Sequence, residues 1–212
     1  MSLTHRILSL AFVGALSLVA GRMLVTAPRL QAAPEPSVVN QSWELTFKYN
    51  APERLLIAPE GKTEKQTYWF IRYTVTNNSG RDVLFTPDFQ LLTDSGQIIT
   101  AGKGVDASVY KEIQQLYKNP LLEDPFQILG KILQGEDNAK DGVIVFTGVD
   151  TEARDFRIAI SGLSGDTAEV TNPLTNEKVV LHKSLMLHYS IPGEAINIDP
   201  RPQFKGKKWV LR

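Results

Sequence analysis

Hydrophobic and polar residues alternate along most of this chain, and the alternation predicts β-strands. Apolar side chains occupy every second position from Trp43 to Tyr49, which is the period of a strand with one buried face. Residues 68–76 are rich in aromatic and β-branched side chains, and the turn-forming residues 77–80 follow them. Residues 89–99 are expected to pair with this stretch as a central hairpin. The pattern predicts a mainly β protein, an antiparallel β-sandwich.

Further strands are expected where alternation or short apolar runs return. In residues 154–161 the predicted inward side chains are Phe156, Ile158 and Ile160. The remaining predicted strands are residues 54–58, residues 142–148, a hairpin of residues 169–171 and 178–182, and a last core strand at 184–191.

In residues 105–135 the spacing of apolar residues changes from that of a strand to that of a helix. This change predicts a two-helix insertion. Asp106 is a suitable N-cap, and an apolar stripe follows at Val109, Ile113, Leu116 and Tyr117. Asp124 and Pro125 predict the start of a second helix that ends at Gly135. Its apolar face consists of Phe126, Leu129 and Leu133. We expect both stripes to pack against one end of the sandwich as a structural cap, and a lid over a site is the alternative.

The N-terminal 33 residues resemble an export signal. Arg6 precedes an uncharged apolar run at residues 7–20, which is shorter than the roughly 20 residues that a membrane span needs. Residues 1–33 are therefore predicted to be a signal peptide cleaved between Ala27 and Pro36, with an uncleaved N-terminal anchor as the alternative. Residues 34–41 are a predicted linker, residues 42–198 the sandwich domain, and residues 199–212 a basic C-terminal tail.

Composition narrows the function classes. The chain has 23 basic and 23 acidic residues and no Cys, so it can form no disulfide and cannot be processed as a lipoprotein. Because the leader holds three arginines and no acid, the remainder has 20 basic and 23 acidic residues, a net charge of −3. Proteins that bind nucleic acid usually carry a basic surplus. A nucleic-acid partner is therefore not expected.

Several blocks resemble uncharacterised bacterial secreted or periplasmic proteins with an immunoglobulin-like domain. The resemblance covers most of the mature chain and lies in residues 74–80, 85–89, 93–97, 133–138, 160–166 and 185–193. It implies an immunoglobulin-like antiparallel β-sandwich and an extracytoplasmic location. It transfers no catalytic or binding residues, because folds of this type host many functions.

The candidate chemistry is sparse. Asp137 and Asp141 stand at calcium-loop spacing before Gly142, but Ala139 and Gly148 occupy two ligand positions, so an acidic turn after a helix is the favoured interpretation. His182 and His188 would lie about 20 Å apart on a continuous strand, too far to share a zinc ion. No catalytic residue, cofactor or metal is predicted, with Asp137 and Asp141 as the weak metal candidates.

Two function classes remain open. The first is a non-catalytic binding or structural module of the cell envelope, whose partner would be an envelope protein or a surface component. Membrane contact is expected only through an uncleaved N-terminal segment. Lys205, Lys207 and Lys208 beside Trp209 could dock an acidic partner, although a solvated basic tail is favoured. The second class is a secreted hydrolase with a site under the helical insertion, where Asp137 and Asp141 would be the first acids to test.

Overall fold

A computed structural model describes residues 43–192 and 201–212. The predicted signal or anchor and the predicted linker lie outside the described residues. Within the described residues, no helix has the length and apolar character needed to cross a membrane.

The described chain is mainly β, as the alternation predicts, and all pairings between its strands are antiparallel. Its elements are β1 Thr46–Tyr49, β2 Glu53–Ile57, β3 Gln66–Asn77, β4 Val83–Phe85, β5 Asp88–Thr93, β6 Ile98–Thr100, α1 Ala107–Tyr117, β7 Gly130–Ile132, β8 Gly135–Thr147, β9 Asp155–Ser161, β10 Thr167–Thr171, β11 Lys178–Ser190 and β12 Gln203–Leu211.

The first sheet is built around the long strand β3. β8 pairs with one edge of β3, while β1 and β2 pair end to end along the other edge. The register slips by one residue between the Tyr49–Tyr73 pair and the Glu53–Phe70 pair, where Pro52 cannot donate to the ladder. β1 and β2 are thus two halves of one interrupted edge strand.

The second sheet has the order β6, β5, β9, β11, β12. The first residues of β11 extend beyond β9 and pair with β10 as the predicted hairpin. Because β5 pairs with β6 and β9 in this sheet, the expected central hairpin between residues 68–76 and 89–99 is wrong. These two segments instead face each other across the core.

The sheets pack face to face, in the manner of a β-sandwich. Trp69 from β3 contacts Phe156 from β9 with ring centroids 5.6 Å apart, and Tyr73 contacts Phe89 at 5.2 Å. Phe156, Ile158 and Ile160 are buried in this shared core, as predicted. Burial of these large apolar side chains is the main source of stability for such a domain.

The opposite face of the first sheet packs against α1. Tyr68 and Phe70 alternate with Trp69 and Ile71 along β3, and all four side chains are buried. Tyr68 and Phe70 belong to a second apolar cluster with Val109, Tyr110 and Ile113 of the helix. The expectation that β3 is core, with alternate residues on two different faces, is confirmed.

α1 begins at the predicted N-cap. The backbone N–H of Ser108 donates to Oδ1 of Asp106 at 2.9 Å, and this bond lowers the pKa of the Asp106 carboxyl. The helix buries Val109 and Ile113, as predicted, but Leu116 is 58% exposed. The buried face of the helix therefore includes Tyr110, which the predicted stripe left out, and it excludes Leu116.

The predicted second helix is wrong. Asp124 caps a single turn, because its Oδ1 accepts from Phe126 N at 2.8 Å and Gln127 N at 2.9 Å. Gly130 then adopts φ 128°, which no helix permits, and starts β7. Phe126 is 74% exposed, and the other two residues of the predicted stripe, Leu129 and Leu133, are also exposed. Ile128 and Ile132 are buried instead.

Two further segments are strands where none was expected. Residues 203–211, predicted to belong to a basic tail, form β12 and pair with β11 from Lys183 to Ser190. Residues 135–141, predicted as an acidic turn after a helix, form the first half of β8. Both are polar strand segments with mostly exposed side chains, so an apolar alternation does not mark them.

A buried ion cluster holds the first described residues onto the sandwich. The ammonium group of Lys183 lies 2.8 Å from Glu44 Oε2 and 3.2 Å from Asp166 Oδ2, and 4.9 Å from the ring centroid of Trp209. Burial by itself would lower the pKa of Lys183, but the hydrogen bonds and charges of the two carboxylates outweigh it and raise the pKa. The cluster therefore favours a charged lysine at this position.

Candidate functional site

The outward face of the second sheet carries a groove, and strand alternation decides which residues reach it. Because Phe156, Ile158 and Ile160 point into the core, Arg157 between them points outward and is exposed. The same alternation directs His188 of β11 and Lys208 of β12 to this outer face, because each stands beside residues of the inward set.

Strand register brings these residues together. Arg157 pairs with His188, which pairs with Gly206, and these three form one row across β9, β11 and β12. Met186 and Lys208 form part of the next row, and Ser184 pairs with Val210 in the row after it. The site is therefore assembled from three strands that are far apart in sequence.

The groove has a volume of about 530 Å³ and combines an apolar floor with a cationic rim. It is lined by Arg157, Met186, His188, Gly206, Lys207, Lys208 and Val210. Gly206 contributes to the opening because no described atom lies within 4 Å of the position that a Cβ would take. A side chain there would project into open space.

The rim carries basic side chains that make no direct contact with a described carboxylate. Within the described part of the chain, the side chains of Arg157, Lys207 and Lys208 form no hydrogen bond or ion pair. The carboxylate of Asp155 lies beside the groove, with its Oδ1 2.6 Å from Nε2 of His188, and it offsets part of the positive charge. Arg157 and Lys208 both project to this face, so a bound anion would lower the local electrostatic energy.

A second depression of similar size provides a contrast. It has a volume of about 460 Å³ and also contains two arginines, Arg54 and Arg154. Here both are engaged: Arg54 stacks over the Trp69 ring at 5.3 Å, and Arg154 donates to the carbonyl oxygens of Thr151 and Ala153. The cations of the groove differ because they are free to bind an external group.

A polar pocket lies beneath the C-terminal end of α1, and it contains Asp141. This pocket has a volume of only about 160 Å³. Asp141 Oδ1 accepts from Thr74 Oγ1 at 2.7 Å, and its Oδ2 accepts from Asn119 Nδ2 at 3.1 Å. Both carboxylate oxygens are therefore used to join β3, β8 and the residues that follow the helix.

Arg72 and Tyr117 also line this pocket, and both bond to Glu53 behind it. Glu53 accepts from Arg72 Nη2 at 3.1 Å and from Tyr117 OH at 2.5 Å, and the Arg72 guanidinium lies 3.4 Å from the Tyr117 ring centroid. Burial and the bond to Glu53 raise the pKa of Tyr117. The hydroxyl of Tyr73 and Nε of Arg72 are buried without a hydrogen-bond partner among the described residues, and burial raises the pKa of Tyr73.

The structure separates the two acids that the sequence singled out. Asp137 is exposed and lies in the irregular part of β8, between the Gly135–Asn77 and Lys140–Val75 pairs, while Asp141 faces the polar pocket. Among the described residues, no group of three or more His, Cys, Asp or Glu side chains could hold a metal ion. His182 and His188 lie on the continuous strand β11, about 20 Å apart.

The lysine cluster beside Trp209 divides between different surfaces. Trp209 packs against the core and beneath Lys183, whereas Lys207 and Lys208 line the groove and Lys205 does not. Sequence reasoning missed Arg157 and Met186. Alternation in residues 154–161 already indicates that Arg157 points outward, but only the strand register places it beside Lys208.

Comparison of the chain with protein-family models, with curated proteins and with solved structures finds no match.

Proposed function

We propose that this protein is an exported, non-catalytic binding module of the cell envelope, built on an immunoglobulin-like β-sandwich. The observation that carries the proposal is the groove on the second sheet, where unpaired cations border an apolar floor. A groove of this kind can bind a ligand, and its lining offers no paired nucleophile and base for chemistry. The partner would be a surface component or a protein of the envelope.

Two lines of support concern the fold type and the location. Antiparallel sheets packed face to face around an aromatic core agree with an immunoglobulin-like sandwich, the fold implied by the sequence resemblance. The apolar run at residues 7–20 behind Arg6 supports export.

Cell fractionation tests the location. The full chain, produced in a bacterial host, should appear outside the cytoplasm, with an N-terminus between Ala27 and Pro36 if the leader is cleaved. Full-length protein in the membrane fraction, accessible to external protease, would support the anchored alternative. Only soluble, full-length protein in the cytosol would contradict an extracytoplasmic module.

The polar pocket favours one other candidate, a secreted hydrolase with its site beneath the insertion. Asp141 lies there beside the unpartnered hydroxyl of Tyr73. Against this, the carboxylates of Asp141 and Glu53 are bonded to neighbouring side chains, and the pocket is small. Asp141→Asn separates the two: the binding module predicts unchanged ligand binding at the groove and lower stability, whereas loss of a hydrolytic activity with unchanged stability would favour the enzyme.

A further inference from the structure

We propose that the groove on the second sheet binds an anionic amphiphile, in which a phosphate or carboxylate group is attached to an apolar chain. This inference rests on the proposed binding function, and it adds the chemical class of the ligand. It is carried by the lining of the groove, where cationic and apolar residues occupy separate positions.

Arg157 is the strongest indication of an anionic group. Lysines on an edge strand such as β12 commonly prevent pairing with other sheets, and this accounts for Lys205 without any ligand. Arg157, however, lies on β9, between β5 and β11, where no free edge needs protection. Its guanidinium is planar and can bind two oxygens of a phosphate or carboxylate at once.

Lys208 completes the anion site from the opposite side. It stands two strands and one row away from Arg157, which places their Cα atoms about 12 Å apart. Long side chains from both positions can reach a group bound above β11. The anion would therefore lie over His188 and Met186, between the two cations.

The floor of the groove accounts for the apolar part of the ligand. Met186 and Val210 are half-buried and line the groove beside the cations. A methionine side chain adapts to ligands of different shape. An inorganic anion would leave the apolar floor exposed to water. An uncharged apolar ligand would leave the cations without a counter-ion. A volume of about 530 Å³ also lies within the range of small-ligand sites.

The methyl group of Met186 provides a direct test. The chain contains Met1, Met23 and Met186, so carbon-labelled methionine gives few methyl signals in nuclear magnetic resonance. Met186→Leu assigns the groove signal. Octyl phosphate, kept below its micelle concentration, should shift the Met186 signal saturably in the full chain. Octyl glucoside and inorganic phosphate should each bind at least about tenfold more weakly, because each lacks one of the two contacts.

Matched variants locate the site. Arg157→Gln and Lys208→Gln should each weaken octyl phosphate binding about tenfold, because each removes a charge-assisted contact. Lys205→Gln removes the same charge from the same strand outside the groove, and it should leave the affinity unchanged. The backbone spectrum of each variant reports whether the fold is kept.

The outcomes are distinguishable. Equal binding of octyl glucoside and octyl phosphate, or equal loss in Lys205→Gln and Arg157→Gln, overturns the proposal. A shift confined to Met1 or Met23 also overturns it, because it places the ligand on the N-terminal apolar segment. If only an acidic peptide shifts Met186, the ligand class is wrong while the binding function stands. If octyl phosphate binds as expected but the chain is cytosolic, the ligand class stands and the proposed location fails.

Discussion

The two larger sheets of this fold share one core, but they differ in how their outer faces are used; β4 and β7 form a third, two-stranded sheet. The first sheet is covered on both sides, by the second sheet and by α1, so Tyr68, Trp69, Phe70 and Ile71 are all buried. The second sheet is covered on one side by the core, and its other side bears the groove with Arg157.

This difference separates polar residues that fasten the fold from polar residues that have no structural partner. The polar groups near the first sheet, such as Asp141 and Glu53, bond to neighbouring side chains and fasten the helix layer. The cations on the second sheet have no such described partners. Side chains without a structural partner, gathered at one open face, are candidates for ligand contact.

The largest effect is expected where the first sheet is covered on both faces. Trp69→Ala and Phe70→Ala remove large buried side chains from opposite faces of β3, and each should lower the free energy of unfolding by about 3–5 kcal/mol. Urea denaturation measures both values. If either variant lost less than about 1 kcal/mol, one face of this sheet would not be core.

Neighbouring residues of β9 sharpen the comparison within the second sheet. Ile158→Ala should cost about 2–5 kcal/mol, because Ile158 is fully buried in the shared core. Arg157→Ala should change the free energy of unfolding by less than about 0.5 kcal/mol, because its side chain is exposed and unpartnered. Similar losses for both variants would mean that the outer face is a structural surface.

Lys183 tests the ion cluster that holds the chain onto the sandwich. Its side chain is 8% exposed, and Lys183→Met would leave Glu44 and Asp166 without their shared cation. We expect a loss of about 3 kcal/mol at neutral pH. The loss should shrink in acid, as the two carboxylates become protonated. If the loss in free energy of unfolding were the same at neutral and at acidic pH, the charges of this cluster would not stabilise the fold.

Gly142 tests the packing of β8 against β3 and against the turn that precedes β7. A Cβ at this position would lie 2.4 Å from Cζ of Tyr73 and 2.6 Å from Cδ1 of Ile128, closer than atoms can approach. Gly142→Ala should therefore cost about 1–3 kcal/mol through overpacking. Gly148→Ala is a useful contrast, because no described atom lies within 4 Å of its Cβ position and any loss there reflects its positive φ alone.

Several elements could be predicted because their local pattern and their tertiary role agree. The alternation in residues 154–161 identified the inward residues of β9, and the cap at Asp106 identified the start of α1. The prediction of a second helix was wrong because the apolar pattern of this segment is ambiguous. Ile128 and Ile132 are spaced four apart, which fits one face of a helix and of a strand alike. The positive φ of Gly130 decided for the strand.

The groove could not be predicted because it depends on register. Residues 203–211 contain lysines and little apolar alternation, so they did not resemble a strand, and without β12 there is no groove. The register between strands that are distant in sequence depends on the packing of the whole core. The periodicity of a single sequence carries no information about that packing. The polar pocket was missed for a similar reason, since Asp141 meets Thr74 only through the pairing of β3 with β8.

Amide hydrogen exchange, measured with and without octyl phosphate, tests the difference between the two sheets most directly. We predict that α1 is as protected as β3, because its buried residues belong to the core of the covered sheet. Added octyl phosphate should slow exchange only in β9, β11 and β12. Fast exchange across residues 107–117 that the ligand slows, with no change in those three strands, would contradict the account and identify the helix as a lid over a site.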